Sequence, residues 1–233
     1  MSTHESIKNH LLASLPPDEY ERLRPHLRSV RLTRNKFLFE AGDDAQYAYF
    51  LENGMPWLLA ITEDGEALDV ALVGREGFVG VPIILNQIAV PYRVIVHLPG
   101  DALKIASDQL LAEFNRGAKL QNELLHYAGL LQQQLVQSAI CHSLHDIKQR
   151  VSRWLLVTSD YLGSNAVETT QERIADMLGH QRNRVTLAVK DLQERQVIES
   201  KPGRITLINR KALEAAACEC YRIVKASLDL ATL

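Results

Sequence analysis

The chain has 233 residues, of which 46% are hydrophobic, so it can form one large or two modest domains with real cores. Its net charge of −2 excludes a uniformly basic nucleic-acid coat, but residues 1–140 carry 12 Lys and Arg against 17 Asp and Glu, whereas residues 141–233 carry 14 against 11. Three cysteines without framework spacing, an N-terminus unlike a signal peptide and no apolar run of about 20 residues favour a cytoplasmic protein without a membrane span.

The first part of the chain predicts short helices followed by a β-rich domain. Residues 5–28 show helical apolar spacing on both sides of a break at Pro16-Pro17. Between Arg28 and Ser107 the apolar period falls to two and turn signals follow closely, which is typical of a small sandwich or barrel that encloses a ligand or only its own side chains. The strands predicted there are Phe37–Glu40, Tyr47–Leu51, Trp57–Thr62, Ala67–Val73, Tyr92–Leu98 and Ala102–Ala106.

From Ser107 the helical spacing returns. A short helix precedes a long one of about five turns, whose apolar stripe consists of Leu120, Leu124, Tyr127, Leu131 and Leu135. Such a stripe needs a partner, either the chain's own β-roll or a second copy of the helix across a two-fold axis. A linker is predicted near Ser138–Ser143, and another amphipathic helix at Leu144–Tyr161.

The stretch Thr169–Leu192 has the pattern of a helix-turn-helix. Thr169 and Glu172 form a capping box for a first helix, and Gly179 ends that helix. A second helix places an apolar stripe inward, consisting of Val185, Ala188, Val189 and Leu192. Its first turn offers side chains that can pair with base edges, namely Gln181, Arg182 and Asn183.

Two β-prone runs follow within Val197–Ile208, on either side of a Lys-Pro-Gly-Arg turn. A helix pair followed by a hairpin with a basic tip is a winged helix, in which one helix enters the major groove and the wing touches phosphate. A closing helix is predicted at Lys211–Leu230.

The order of these elements resembles that of the Crp/Fnr transcription factors, the family of the cyclic-AMP receptor protein and the fumarate–nitrate regulator. The resemblance covers nearly the whole chain, and its most specific parts are Cys141–His145, Gln149–Leu156, Thr170–Gly179, Gly203–Thr206 and Leu213–Tyr221. It implies an α+β fold with an N-terminal cyclic-nucleotide-binding-like β-roll, a long dimerisation helix and a C-terminal winged helix-turn-helix. The corresponding domains are residues 1–117, residues 118–140 and residues 141–233.

The resemblance also implies a homodimer on a pseudo-palindromic double-stranded DNA operator, with the stripe of Leu120, Leu124, Tyr127, Leu131 and Leu135 as the dimer interface. Arg182 matches the family's guanine-reading arginine. Asn183 stands where many members have a base-reading glutamate and Leu187 where many have a second arginine, while Arg184 is a candidate phosphate contact. The residues predicted to contact DNA are Thr170, Gln171, Gln181, Arg182, Asn183, Arg184, Thr186, Lys190, Lys201 and Arg204.

The effector region departs from the family's cyclic-nucleotide binders. Their phosphate cassette has a Gly-Glu pair at a first place and an arginine followed by Ser or Thr at a second. In Gly77–Leu85 the glutamate of the first place is replaced by Val81, and Pro82 follows it. Arg93 is the lone weak candidate for effector binding at the second. We therefore expect an effector other than cyclic AMP, or none. An unidentified small molecule and RNA polymerase are the further candidate partners.

No metal site or cofactor is predicted. An iron–sulfur cluster of this family needs four cysteines, and only three are present. The residues Cys141, His142, His145, Cys218 and Cys220 form a soft N/S set for zinc, but Cys141 and Cys218 fall on apolar faces, where free cysteine usually fills a core. No enzyme motif is visible. The alternative function is a ligand-binding module that acts through protein contacts instead of DNA.

Overall fold

The computed structural model describes residues 7–87 and 89–230, so the first two residues of the predicted helical stretch 5–28 lie outside it. The chain divides into two units. The first contains the described residues up to Ile61, then Ala71–Gln132 and the chain from Leu228. The second contains Thr62–Val70 and Gln133–Ser227. Within the described ranges, no helix is both long and apolar enough to cross a membrane.

The helices are α1 (His10–Ala13), α2 (Pro17–Leu23), α3 (Val81–Ile84), α4 (Ser107–Phe114), α5 (Ala118–Leu144), α6 (Ile147–Leu162), α7 (Gln171–Leu178), α8 (Arg182–Glu194), α9 (Arg210–Ala216) and α10 (Cys220–Leu230). The strands are β1 (Arg28–Leu32), β2 (Phe37–Phe39), β3 (Tyr47–Leu51), β4 (Met55–Ile61), β5 (Ala67–Leu72), β6 (Phe78–Val79), β7 (Arg93–Leu98), β8 (Gly100–Ala106), β9 (Ala166–Val167), β10 (Ile198–Lys201) and β11 (Arg204–Leu207).

Two four-stranded sheets form the predicted β-roll, in the orders β1-β8-β3-β6 and β2-β7-β4-β5. Strands β1 and β3 both pair antiparallel with β8, and β7 pairs antiparallel with β2 and β4. The β-roll is therefore confirmed, and β3 occupies the predicted residues. The sequence missed β1, in which only Leu32 is buried, and β6, which is two residues long. Neither strand is long or regular enough to show a period of two.

The N-terminal part of α5 packs on the β-roll of the same unit. The Tyr127 ring lies 5.5 Å from the Phe78 ring, and a side chain at Gly77 would come within 2.2 Å of Tyr127. The Glu19 carboxylate accepts hydrogen bonds from the backbone N–H groups of Lys119 and Leu120, at 3.1 and 2.8 Å. These two N–H groups lie in the first turn of α5, so Glu19 caps the helix. Its negative charge also interacts favourably with the positive end of the helix dipole.

The apolar stripe of α5 is largely buried within the single chain. Leu120, Leu124, Tyr127 and Leu131 are at most 3% exposed, and Leu135 is half-buried. This corrects the expectation that the stripe faces a second chain, because side chains buried in their own fold have no surface left for a partner. The first of the two alternatives, packing within the chain itself, describes the stripe.

The segment predicted as a linker, Ser138–Ser143, is helical, since α5 continues to Leu144. The break comes later, at His145 and Asp146. Asp146 begins α6 through a capping box, in which its side chain accepts from the Gln149 N–H and the Gln149 side chain accepts from the Asp146 N–H. The apolar stripe recognised in the sequence ends at Leu135, so the helical segment after it was interpreted as a boundary.

The second unit contains the winged helix. Strands β10, β11 and β9 form a three-stranded sheet in that order, and β9 is too short to be recognised in the sequence. The closing helix predicted at Lys211–Leu230 is interrupted, since α9 ends at Ala216 and α10 begins at Cys220. The residue after α9, Ala217, has an extended backbone with φ −80° and ψ 159°. The connection between the two helices brings Cys218 and Cys220 into the core.

Candidate nucleic-acid interface

The first helix of the predicted pair is α7, which a threonine caps. The Thr170 hydroxyl accepts a hydrogen bond from the Arg173 backbone N–H at 3.2 Å. The sequence placed the cap at Thr169, one residue too early. Thr169 is buried, and its hydroxyl donates to the Thr170 carbonyl at 3.4 Å. The side of α7 that faces the core consists of Ile174, Ala175 and Leu178.

A glycine turn joins α7 to the second helix, α8. Gly179 has φ +60°, in the left-handed region that side chains rarely adopt, and it ends α7 as predicted. The Thr186 hydroxyl on α8 donates to the side-chain oxygen of Gln171 on α7 at 2.8 Å. This bond ties the two helices together on their exposed side. The predicted apolar stripe of α8 is buried, namely Val185, Ala188, Val189 and Leu192.

The residues predicted to contact DNA lie on the surface of the second unit. Nine of the ten are exposed and Gln171 is half-buried. Lys190 lies 3.7 Å from Glu194, and Lys201 lies 2.9 Å from Glu199. Within the described part of the chain, no ion pair is formed by Arg182, Arg184 or Arg204. These three guanidinium groups keep their charge for an external anion.

A groove of about 390 Å³ lies between the start of α7, the start of α8 and the wing. Four of the predicted DNA-binding residues line it, namely Thr170, Gln171, Arg182 and Lys201. The wing tip forms one wall through Pro202 and Gly203, and Gly203 has φ +75°. The groove therefore joins the start of α8, the N-terminus of α7 and the basic wing into one surface. Exposed N–H groups at a helix N-terminus favour anions such as phosphate.

A buried arginine supports the turn between α7 and α8 from behind. Arg150 on α6 is 4% exposed and donates to the Leu178 carbonyl, the last residue of α7. It also donates to His180 Nε2 at 2.6 Å and to His142 Nδ1. Burial and the neighbouring Arg150 charge lower the pKa of His180, so its ring is neutral and accepts the bond.

Sequence reasoning missed this role of Arg150. The available signal was its spacing, because a residue four positions before Trp154 lies on the buried face of α6. A charge on such a face needs several acceptors around it. The acceptors come from residues 28 and 30 positions later in the chain, and the sequence alone does not reveal that proximity.

Both structural halves match known domain families. Residues 149–216 match the Crp-like helix-turn-helix domain, and residues 29–116 match the cyclic nucleotide-binding domain. The two matches together cover about two thirds of the chain. The chain belongs to the Crp/Fnr family. It is a DNA-binding transcriptional regulator, as the helix-turn-helix and wing predicted.

Several relatives of this Crp/Fnr regulator are described as global nitrogen regulators. The protein from Nostoc sp. is 26% identical over 185 residues, which are 75% of this chain and 82% of the relative. The protein from Synechocystis sp. is 28% identical over 193 residues, 77% of this chain and 84% of the relative. The crystal structure of a Crp/Fnr transcriptional regulator from Eubacterium rectale has a TM-score of 0.73 at 16% identity, covering 88% of this chain and 96% of that one. At this identity the structural similarity supports the fold alone.

The effector region of this Crp/Fnr regulator is apolar where a phosphate cassette would lie. All four residues of α3, Val81–Ile84, are buried, and none carries a polar side chain. The one candidate arginine, Arg93, donates from Nε to Glu40 at 2.6 Å, and its guanidinium carbon lies 5.1 Å from the centre of the Phe37 ring. Arg93 is therefore already engaged in a partly exposed ion pair.

Cys141 and Cys218, which the sequence analysis interpreted as core filler, lie together with Cys220 in the second unit. Cys141, Cys218 and Cys220 are buried, and the Sγ atoms of Cys141 and Cys218 are 3.6 Å apart. The Cys218 contact and the Arg153 charge lower the pKa of the Cys141 thiol, against the effect of burial. The same contact and burial raise the pKa of Cys218. His145 belongs to this group. His142 does not, because its Nδ1 accepts a hydrogen bond from Arg150.

Proposed function

We propose that this regulator binds a pseudo-palindromic operator as a homodimer, with the start of α8 from each chain in a major groove. The observation that carries the proposal is the first turn of α8, where Gln181, Arg182 and Asn183 are all exposed beside the basic wing. Arg182 has the donors to bridge guanine O6 and N7, and the two amides can pair with adenine. The alternative of a module that acts only through protein contacts is the competing outcome of the test below.

Phosphate contacts come from the residues around this turn. Lys201 and Arg204 flank the wing tip, and Arg184 and Lys190 lie on the exposed side of α8. Thr170 and Gln171 stand at the N-terminus of α7, where backbone N–H groups favour an anion. Such contacts set the position of a protein on the duplex without reading its sequence.

The test begins with selection of operator sequences from a random pool, followed by anisotropy titration of the full chain. We expect Arg182→Ala to cost about 1–3 kcal/mol on the selected site and to relax the preference at one base of each half-site. The matched control is Arg195→Ala, an exposed arginine beyond the other end of α8 that pairs with Asp191. Weak binding indifferent to sequence, or an equal loss in the control, would contradict the proposal.

The wing has a different expected signature. Lys201→Ala removes a phosphate contact, so it should weaken binding to all sequences alike and lower the salt slope by about 1. The measurement is the dissociation constant at several salt concentrations, on the selected site and on an unrelated duplex. A loss confined to the selected site would assign base reading to Lys201 instead.

The homodimer forms, in our proposal, through the exposed side of α5 and not through its buried stripe. Val136, Ile140 and Leu144 recur every four residues and are 55%, 38% and 76% exposed. Leu125, eleven residues before Val136, lies on the same side of an α-helix and is 45% exposed. Gly129 lies between them, and a side chain there would meet nothing within 4 Å. An apolar helix side with a small residue suits close approach of an identical helix.

Light scattering of the eluting protein tests the dimer. We expect a dimer for the natural chain and a monomer for the double variant Val136→Glu/Ile140→Glu, because two carboxylates per chain would be buried at the interface. Leu85→Glu is the matched control, since Leu85 is 48% exposed on another part of the chain. A double variant that remains a dimer would exclude this side of α5 as the interface.

The proposal includes an effector other than cyclic AMP, or none, because the buried residues of α3 offer no side-chain donor to a phosphate. It places the protein in the cytoplasm, where a bacterial chromosome is accessible. RNA polymerase is a further partner in this proposal, since a regulator bound near a promoter meets it there. Footprinting of the selected operator with and without polymerase tests this contact through extension of the protected region.

A further inference from the structure

Four potential metal ligands converge at the end of the long helix α5. Cys141 lies in its last turn and His145 directly after it, while Cys218 and Cys220 lie between α9 and α10 and at the start of α10. All four belong to the second unit. One donor atom from each of them lies within 4.8 Å of every other. The three cysteines are buried and free, and the His145 side chain is 11% exposed.

Two of the six distances between the donor atoms are close to those around a tetrahedral ion, and all six are at most 4.8 Å. Zinc lies about 2.3 Å from thiolate sulfur and about 2.0–2.1 Å from imidazole nitrogen, so neighbouring ligand atoms are about 3.5–3.8 Å apart in a tetrahedron. Here the Sγ atoms of Cys141 and Cys218 are 3.6 Å apart, and the Sγ of Cys220 is 3.4 Å from His145 Nδ1. An iron–sulfur cluster spreads its thiolates over several irons, whereas these four donor atoms lie within 4.8 Å of one another, close enough to share one ion.

The surroundings of the four residues are those of a ligand set. The second ring nitrogen of His145, Nε2, lies 3.3 Å from the Glu219 carboxylate, which orients the ring so that Nδ1 faces the sulfur atoms. The Gln137 side-chain amide donates to the Sγ of Cys220 at 3.0 Å. Three thiolates around a divalent ion carry one net negative charge, and the nearby Arg153 offsets it. Buried charge of this kind needs such partners.

We propose that Cys141, His145, Cys218 and Cys220 bind one zinc ion per chain. A core that only needs small apolar residues does not require a histidine oriented by a carboxylate next to three thiols. Four protein ligands leave no open coordination position, so the site is structural and not catalytic. The ion joins the end of α5 to the start of α10 and stabilises the second unit.

The choice of zinc follows from the donor set and its geometry. Thiolate and imidazole ligands in a tetrahedron are typical of structural zinc, whereas calcium and magnesium prefer oxygen ligands. Copper(I) also binds thiolates, and it is distinguished by the test below. The zinc proposal does not depend on how the protein binds DNA. The zinc proposal and the proposed function can therefore fail independently of each other.

The test uses the full chain, purified under reducing conditions without chelator. Native mass spectrometry should show one zinc per chain. Co(II) added to the protein after a chelator has removed its metal should give the intense absorption of a tetrahedral thiolate complex. With free zinc at 100 times its dissociation constant, Tm should rise by about 5–10 °C over the chelated protein.

Variants assign the ligands. Cys218→Ser and His145→Gln should each lose the tetrahedral Co(II) spectrum and most of the zinc-dependent rise in Tm. His126→Gln, which changes an exposed histidine of the same helix, should keep both. The chelated natural chain controls for misfolding, because zinc added back must restore its Tm without any substitution.

Four results would overturn the proposal. The first is a chain that holds no zinc and shows no change in Tm when zinc is added. The second is a Co(II) spectrum that the ligand variants leave unchanged. The third is a stoichiometric Cu(I) complex that zinc cannot replace. The fourth is a mass two units lower, which assigns two of the thiols to a disulfide.

Discussion

The arginines predicted to bind an anion differ between the winged helix and the β-roll. In the winged helix, Arg182 and Arg184 are exposed and form no ion pair among the described residues. In the β-roll, Arg93 pairs with Glu40 and covers the Phe37 ring, and the buried α3 segment beside the cassette position is apolar. The arginines at the start of α8 therefore keep their charge available to an external anion, whereas Arg93 is already paired within the chain.

This difference separates two properties that are combined in the Crp/Fnr family, the reading of DNA and the binding of a cyclic phosphate. Reading of DNA needs unpaired donors on a rigid helix, and α8 has them. Binding of a cyclic phosphate needs a clamp of charged and hydrogen-bonding groups, which the described cassette region does not offer. The regulator therefore has the DNA-binding domain of its family, while the described cassette segment, Val81–Ile84, has no polar side chain for a cyclic phosphate.

The largest expected effect is on the support of the helix-turn-helix. Arg150→Leu leaves the Leu178 carbonyl and two histidine nitrogens without their donor. The free energy of unfolding should therefore fall by about 2–4 kcal/mol. Urea unfolding of the full chain measures this cost. Arg150→Lys is the control for charge alone, and it should recover only part of the loss because a single ammonium cannot replace the planar fork. A cost below about 0.5 kcal/mol for Arg150→Leu, the level of an ordinary surface change, would mean that Arg150 does not hold the turn.

A smaller effect is expected where α5 meets the β-roll. Gly77→Ala places a methyl group within 2.2 Å of the Tyr127 ring, which should cost about 1–3 kcal/mol of stability. The φ of Gly77 lies outside the left-handed region, so the ring and not backbone strain opposes the substitution. In a double-mutant cycle with Tyr127→Leu the methyl group should cost less than it does alone. An additive cycle would show that this contact is absent in solution.

The smallest effect is expected at Arg93. Arg93→Ala removes an ion pair between side chains that are 31% and 42% exposed, so the stability should change by about 0.2–1 kcal/mol. Cyclic AMP at millimolar concentration should leave Tm unchanged in both the natural chain and the variant. If the nucleotide raised Tm in the natural chain alone, Arg93 would be a phosphate ligand and the contrast between the two regions would disappear.

The sequence by itself determined the type and order of the main elements. Strand β3, the pair α7 and α8 with its Gly179 turn, and the wing around Pro202-Gly203 all follow from local rules of period, capping and turn chemistry. The errors were local as well, such as a cap placed one residue early at Thr169. Weak or very short elements, β1, β6 and β9, carried too little pattern to be recognised.

Only the tertiary structure decided which distant residues meet. The stripe of α5 was compatible with two partners, and burial of Tyr127 against Phe78 shows that it packs within its own chain. Arg150 supports a turn about 30 residues away, and Cys141 meets Cys218 from 77 residues away. Local patterns state which side of a helix is buried, but they do not name the neighbour, because that depends on how the elements pack in three dimensions.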